Sequence, residues 1–86
     1  MFVDKLKFRS SGKWKRKRAE ILKRDHKRCK ICGSETGLQV HHVISLDIND
    51  RLKLENSNLI TLCSKCHTDV HNNVYSQIYL TNLIND

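Results

Sequence analysis

The sequence has no proline, three glycines and few aromatic side chains (two Phe, two Tyr, one Trp) in 86 residues. Its apolar residues come in short runs broken by charge, so any core must be thin. A chain this short also buries a modest share of its unfolded surface, and such domains usually carry a staple. No stretch approaches the roughly 18 apolar residues of a membrane span. The basic N-terminus is not followed by the apolar run of a secretory signal. These absences predict a soluble, intracellular protein with no membrane partner, folded as a single domain over 1–86.

The staple is visible in the cysteines. Cys29, Cys32, Cys63 and Cys66 form two Cys-x-x-Cys pairs with 30 residues between Cys32 and Cys63. In a reducing compartment this pattern reads as a zinc site before it reads as two disulfides. Zinc takes four ligands in a tetrahedron, and thiolates close its coordination sphere. Zn²⁺ here would tie the first knuckle to the start of the last helix across whatever lies between.

Charge is unevenly spread. The total is +7, but residues 1–30 hold 13 Lys or Arg against Asp4, Glu20 and Asp25, a balance of +10. The remainder holds Arg51, Lys53 and Lys65 against six acids, a balance of −3. A basic half of this kind most often meets nucleic acid; the bland alternative is a solvated, lysine-rich helix face.

The periodicity predicts an order of helix, knuckle, strand, loop, strand, helix, an α+β domain. Residues 1–11 are read as an arm, although the weak alternation over 1–9 also allows a short strand. In "SSGKWKRKRAEILKRD", Ser10 or Ser11 can cap a helix over 12–25 whose apolar residues are Trp14, Ile21 and Leu22. Its polar face carries Lys13, Lys15, Arg16, Lys17, Lys23 and Arg24, the candidate phosphate contacts. Trp14 is expected to pack against the zinc knuckle. "CKICGSETG" is that knuckle, with Gly33 and Gly37 where turns need positive φ. "LQVHHVI" (38–44) reads as a strand, the polar 45–58 as a loop, "LITLC" (59–63) as a second strand, and 64–83 as one helix on Val70, Val74, Ile78 and Leu80. The zinc-bound core therefore spans 29–83.

The stretch "TLCSKCHTDVHNN" runs the second cysteine pair into His67 and His71. Four cysteines already complete one site, so these histidines are surplus to it. On a helix His67 and His71 share a face, turned away from that of the cysteines. A lone His-x-x-x-His is weak, since exposed pairs are common. A second pair, His41 and His42, lies on the strand that a zinc-tied hairpin brings toward that helix; a satisfied structural role remains the alternative for either. His26 has no such partner and is read as ordinary.

Taken together, Trp14, "RD", "CKIC", "LQVHHVI", "NSNLITLC" and "CHTDVH" resemble the HNH endonuclease family, whose core is the ββα-metal, treble-clef-like fold. The pattern HH…NL…HxxxH is also similar to the nuclease domain of the DNase colicins, which lack the zinc cysteines. The resemblance implies that His41 and His67 ligate a catalytic divalent cation, that His71 adds a ligand as in the colicin-like branch, that His42 is the general base, and that Asn58 braces the loop and orients the base. Many members carry Asp at the position of His41 and Asn at that of His67. An all-histidine set favours Ni²⁺, Mn²⁺ or Zn²⁺ over Mg²⁺.

Phosphodiester hydrolysis needs a nucleophilic hydroxide, an electrophile for the charge growing on phosphate, and help for the departing 3′ oxygen. An imidazole titrating near its ordinary pKa of about 6.5 can take the water proton. Neighbours on a regular strand face opposite ways, so a shared site predicts a distortion at 41–43, an ending of the strand there, or a base reaching over the rim. The implied function is cleavage of DNA, nicking or double-stranded, with low sequence specificity. Two other classes compete: a non-catalytic zinc module that binds nucleic acid, and a phage packaging or assembly factor working beside a terminase.

Overall fold

The computed structural model describes residues 11–44 and 53–85; the arm up to residue 10 and most of the polar loop lie outside the described residues. Among these residues the architecture is α+β: a two-stranded antiparallel sheet with one helix on one face and two on the other.

Helix α1, Gly12–Arg24, starts where Ser11 accepts a hydrogen bond from the Trp14 amide at 3.2 Å. Lys23 and Arg24 in its last turn complement the helix dipole. Trp14 and Ile21, two turns apart, form its buried face. His26 (φ 60°) and Lys27 (φ 54°) then enter the left-handed region and turn the chain into the knuckle. Gly33 (φ 80°) and Gly37 (φ 63°) are positive, as the sequence predicts. At Gly37 an added Cβ would lie 2.9 Å from Ser64 Oγ, so backbone geometry and space both select glycine.

Strand β1, Leu38–His42, pairs with β2, Leu59–Cys63, in one register that sets His42 opposite Leu59 and Leu38 opposite Cys63. A short 3-10 turn, Asn56–Asn58, leads into β2. All five residues of β2 are buried, because it is covered on both faces. On one side Leu59 packs with Trp14 and Ile21, joined by Val40 and Leu54. On the other, Ile60 and Leu62 pack with Val43, Leu80 and the buried Cys29, Cys63 and Cys66. Full burial of an aliphatic side chain contributes about 1.5–3 kcal/mol, and among the described residues only Ile21, Leu59, Ile60, Leu62 and Leu80 are in that position. The core is as thin as the composition implies.

Three expectations are corrected. The single helix over 64–83 is two, α2 (Ser64–His71) and α3 (Gln77–Ile84), because Asn73, the last residue of "HNN", takes φ 62° and Ser76 caps a new start through the Tyr79 amide at 3.1 Å. Val74 and Ile78, counted on the apolar face, are 60% and 75% exposed, while Leu80 is buried. Trp14 packs against the sheet rather than the knuckle, since Ile21 and Leu59 are its buried neighbours. Of the alternatives at 41–43, the structure shows the ending of the strand: His41 and His42 keep ladder register without a bulge, β1 stops at His42, and the chain bends at Val43 and Ile44.

Candidate active site

Among the described residues, two clusters of metal-ligating side chains form on one scaffold. In the first, the sulfurs of Cys29, Cys32, Cys63 and Cys66 all lie within 4.8 Å of one another, with Cys32 Sγ 3.6 Å from Cys63 Sγ. Sulfurs about 2.3 Å from a tetrahedral zinc sit about 3.8 Å apart, so the set fits that ion. The knuckle is closed by Gly33 N–H donating to the Cys29 carbonyl at 2.8 Å, and it is tied to β2 by Lys30 N–H donating to the Thr61 carbonyl at 3.0 Å. Cys63 is both the end of β2 and the cap of α2, its sulfur accepting from the Cys66 amide at 3.5 Å.

The thiols feel each other strongly. Burial opposes ionisation of Cys29, but the amides of Cys32, Cys63 and Ile31 outweigh it and bring its pKa down to about 7. Cys66 is pushed far up, first by burial and then by the neighbouring thiols. Four sulfurs packed this closely cannot all ionise unless a cation joins them.

The second cluster is His41, His67 and His71, whose ligand nitrogens also lie within 4.8 Å of one another. Alternation along β1 turns His41 toward α2, and the i, i+4 spacing on α2 sets His67 and His71 side by side to meet it. The rings stand nearly edge-on, with centroids 5.1 Å (His41 and His67), 5.9 Å (His41 and His71) and 4.5 Å (His67 and His71) apart. Burial, and then the neighbouring His67, His71 and His42, lower the His41 pKa to about 4. Its ring is therefore neutral at ordinary pH, the form that offers a lone pair to a metal. Among the described residues no carboxylate belongs to this cluster.

His42 faces the other way. Its ring stacks on Trp14 (centroids 5.0 Å, planes 23° apart), and its Nε2 lies 2.9 Å from the Lys53 carbonyl oxygen. Asn58 is buried and grips the bend just beyond His42: its Oδ1 accepts from Ile44 N–H at 2.8 Å, its Nδ2 donates to the Ile44 carbonyl at 3.1 Å, and its own carbonyl accepts from Val43 N–H at 2.9 Å.

Of the six candidate phosphate contacts on α1, Lys13, Lys15, Arg16 and Lys23 are exposed. Lys17 is engaged by Glu20 at 2.6 Å and by Asn56 Oδ1 at 2.7 Å. Arg24 is spent inside the protein. Its Nε and Nη2 donate to the Asp25 carboxylate at 2.8 and 2.9 Å, its Nη1 to the Asn56 carbonyl at 2.8 Å and its Nη2 to the Leu59 carbonyl at 2.6 Å. The expected phosphate contact from Arg24 is accordingly replaced by a structural clamp. Asp25, 4% exposed, also accepts the Thr61 amide at 3.0 Å. Burial raises its pKa, but the Arg24 and Thr61 hydrogen bonds outweigh that and leave it below the ordinary value. Sequence reasoning missed this clamp although a signal was present: an acid at a helix C-terminus opposes the dipole and calls for a dedicated partner. The Lys53 carbonyl that holds His42 is a backbone group and leaves no mark in side-chain identity.

The fold and the four-cysteine cluster define a small α+β domain of the zinc-stapled ββα type. The HNH endonuclease family profile matches residues 29–73, more than half of the chain, and the chain belongs to that family. The COX1/OXI3 intron 2 protein of Saccharomyces cerevisiae is 40% identical over 58 residues, which take in 56% of this chain and 7% of that protein. The chain thus corresponds to a small part of that relative. No solved structure matches significantly. No helix among the described residues is long and apolar enough to cross a membrane.

Proposed function

We propose that the protein is a metal-dependent endonuclease that hydrolyses phosphodiester bonds in DNA with little sequence preference. Membership of the HNH endonuclease family supports the general activity. The observation that supports the specific reading best is the meeting of His41, from the hairpin, with His67 and His71, from α2, at ligand distances on a part of the scaffold separate from the four thiols. Cys29, Cys32, Cys63 and Cys66 would hold the structural Zn²⁺; His41, His67 and His71 would hold a second divalent ion. Once bound, that second ion supplies Lewis acidity toward the phosphate and the leaving 3′ oxygen.

The chain's own groups perform the rest. A carbonyl only accepts, so the contact to Lys53 puts the His42 proton on Nε2 and the lone pair on Nδ1. Nδ1 takes a proton from the attacking water, leaving 5′-phosphate and 3′-hydroxyl ends. Because His41 and His42 face opposite sides of β1, we place the scissile phosphate over the strand's end, where the chain turns away and neighbouring side chains on both faces are in reach. Asn58 keeps that end in place by its two side-chain bonds to Ile44. Lys13, Lys15, Arg16 and Lys23 contact backbone phosphates, which fixes register without reading sequence.

The test is incubation of supercoiled plasmid with Mg²⁺, Mn²⁺ or Ni²⁺, wild type beside His42→Ala. Metal-dependent nicking is expected from the wild type, strongest with Mn²⁺ or Ni²⁺, and a loss of roughly a hundredfold or more from the variant. Equal nicking by both refutes the assignment of the base. Metal-dependent duplex binding with no nicking by either would favour the binding-module reading instead.

A further inference from the structure

His42 is held from two directions. The Lys53 carbonyl oxygen, 2.9 Å from Nε2, fixes the tautomer. A hydrogen bond at one ring atom leaves rotation about that bond open, whereas a stacked ring fixes the plane, and Trp14 supplies the stack at 5.0 Å and 23°. The indole is itself anchored. It is 7% exposed, packed with Ile21 and Leu59, and its amide is the one that donates to Ser11 Oγ at the start of α1.

From this geometry we propose that Trp14 is a positioning residue for His42, setting the plane of the imidazole so that its Nδ1 lone pair points in one direction. The inference rests on the base role of His42 proposed above. It carries a consequence for α1: Trp14 sits between the exposed Lys13 and Lys15 and two residues before the exposed Arg16, so the same rigid element that meets phosphates also orients the base. Binding and proton transfer are then read out on one helix by different residues. A purely structural role for Trp14 makes a different prediction, because loosening the helix would disturb its lysines as well.

Steady-state cleavage of a duplex with Mn²⁺ separates these cases in the zinc-loaded full chain, using Trp14→Leu, Trp14→Phe and His42→Ala. Trp14→Leu is expected to lower kcat about tenfold or more, toward the level of His42→Ala, with KM changed by less than about threefold. Trp14→Phe, which keeps a ring, restores most of kcat. Histidine ring NMR of the metal-free catalytic site gives a readout independent of activity: in wild type and Trp14→Phe the His42 ring protons are shifted upfield by the stacked ring, and in Trp14→Leu they are not. Wild-type kcat in Trp14→Leu beside an inactive His42→Ala overturns the positioning role alone. So does a fall in kcat matched by a rise in KM and not rescued by Phe. Wild-type cleavage by His42→Ala overturns the base role and the inference with it. Should Trp14→Leu fail to fold, unshifted His42 ring protons in the wild type refute the stack, and shifted ones together with the Phe rescue sustain it.

Discussion

Replacing Arg24 by alanine is expected to damage stability far more than DNA binding, although its place in a run of basic residues suggests the reverse. The guanidinium makes four donations, two to Asp25 and one each to the carbonyls of Asn56 and Leu59. Removing it leaves a carboxylate whose side chain is 2% exposed with the Thr61 amide still bound, plus two backbone acceptors without this donor. Breaking a buried pair by deleting one partner typically costs about 3–5 kcal/mol, mostly through the charge left behind. The loss should therefore fall near that range, a large part of the roughly 5–15 kcal/mol that holds a small domain together. Urea unfolding at fixed zinc concentration measures it.

Asp25→Asn and the double variant complete the cycle. If the cost is the abandoned charge, the double variant loses clearly less than the sum of the singles. The pH dependence has a defined sign. Asp25 has a folded pKa below its ordinary value, so its contribution is complete above about pH 4, the unfolded range, and disappears as pH falls through the folded value. The stability gap between wild type and Asp25→Asn should thus be widest at neutral pH and close in acid below about pH 4. An Arg24→Ala variant that unfolds at the wild-type urea midpoint yet loses duplex affinity would refute this reasoning and return Arg24 to the phosphate-binding set.

Four further outcomes are expected. Alanine at Lys13, Lys15 or Arg16 leaves the urea midpoint within about 0.5 kcal/mol of wild type but weakens duplex binding and reduces the slope of log affinity against log salt by about one for each phosphate no longer neutralised, measured with the inactive His42→Ala protein. Gly37→Ala destabilises by about 1–3 kcal/mol in the same urea assay, from its positive φ and the approach to Ser64. Cys63→Ala, or a strong chelator, unfolds the chain as followed by circular dichroism, because binding and folding energy are here largely one quantity. Asn58→Ala frees the bend at Ile44 and lowers cleavage by His42 at unchanged zinc content; retention of full cleavage rate would deny Asn58 its bracing role.

Local signals carried the cysteine knuckle, the glycines of positive φ, α1 with its serine cap, β2 and the i, i+4 histidine pair, because each depends on residues a few positions apart whose chemistry is strongly biased. The break between α2 and α3 was less legible: Val74, Ile78 and Leu80 keep enough helical spacing to mimic one continuous face, and only the weak αL preference of asparagine marks Asn73 as the stop. By itself the sequence determined that two sets of candidate metal-ligating side chains are present, since thiol and imidazole pairs are legible as residue types at ligand spacing. Only the tertiary structure decided which groups meet. The antiparallel register turns His41 toward His67 and His71 and His42 toward Trp14, and the end of α1 reaches β2 closely enough to convert Arg24 from a surface charge into a clamp. The physical reason is that a side chain's partner across a sheet or between helices is fixed by register and packing, and these are sums over the whole chain rather than properties of any one segment.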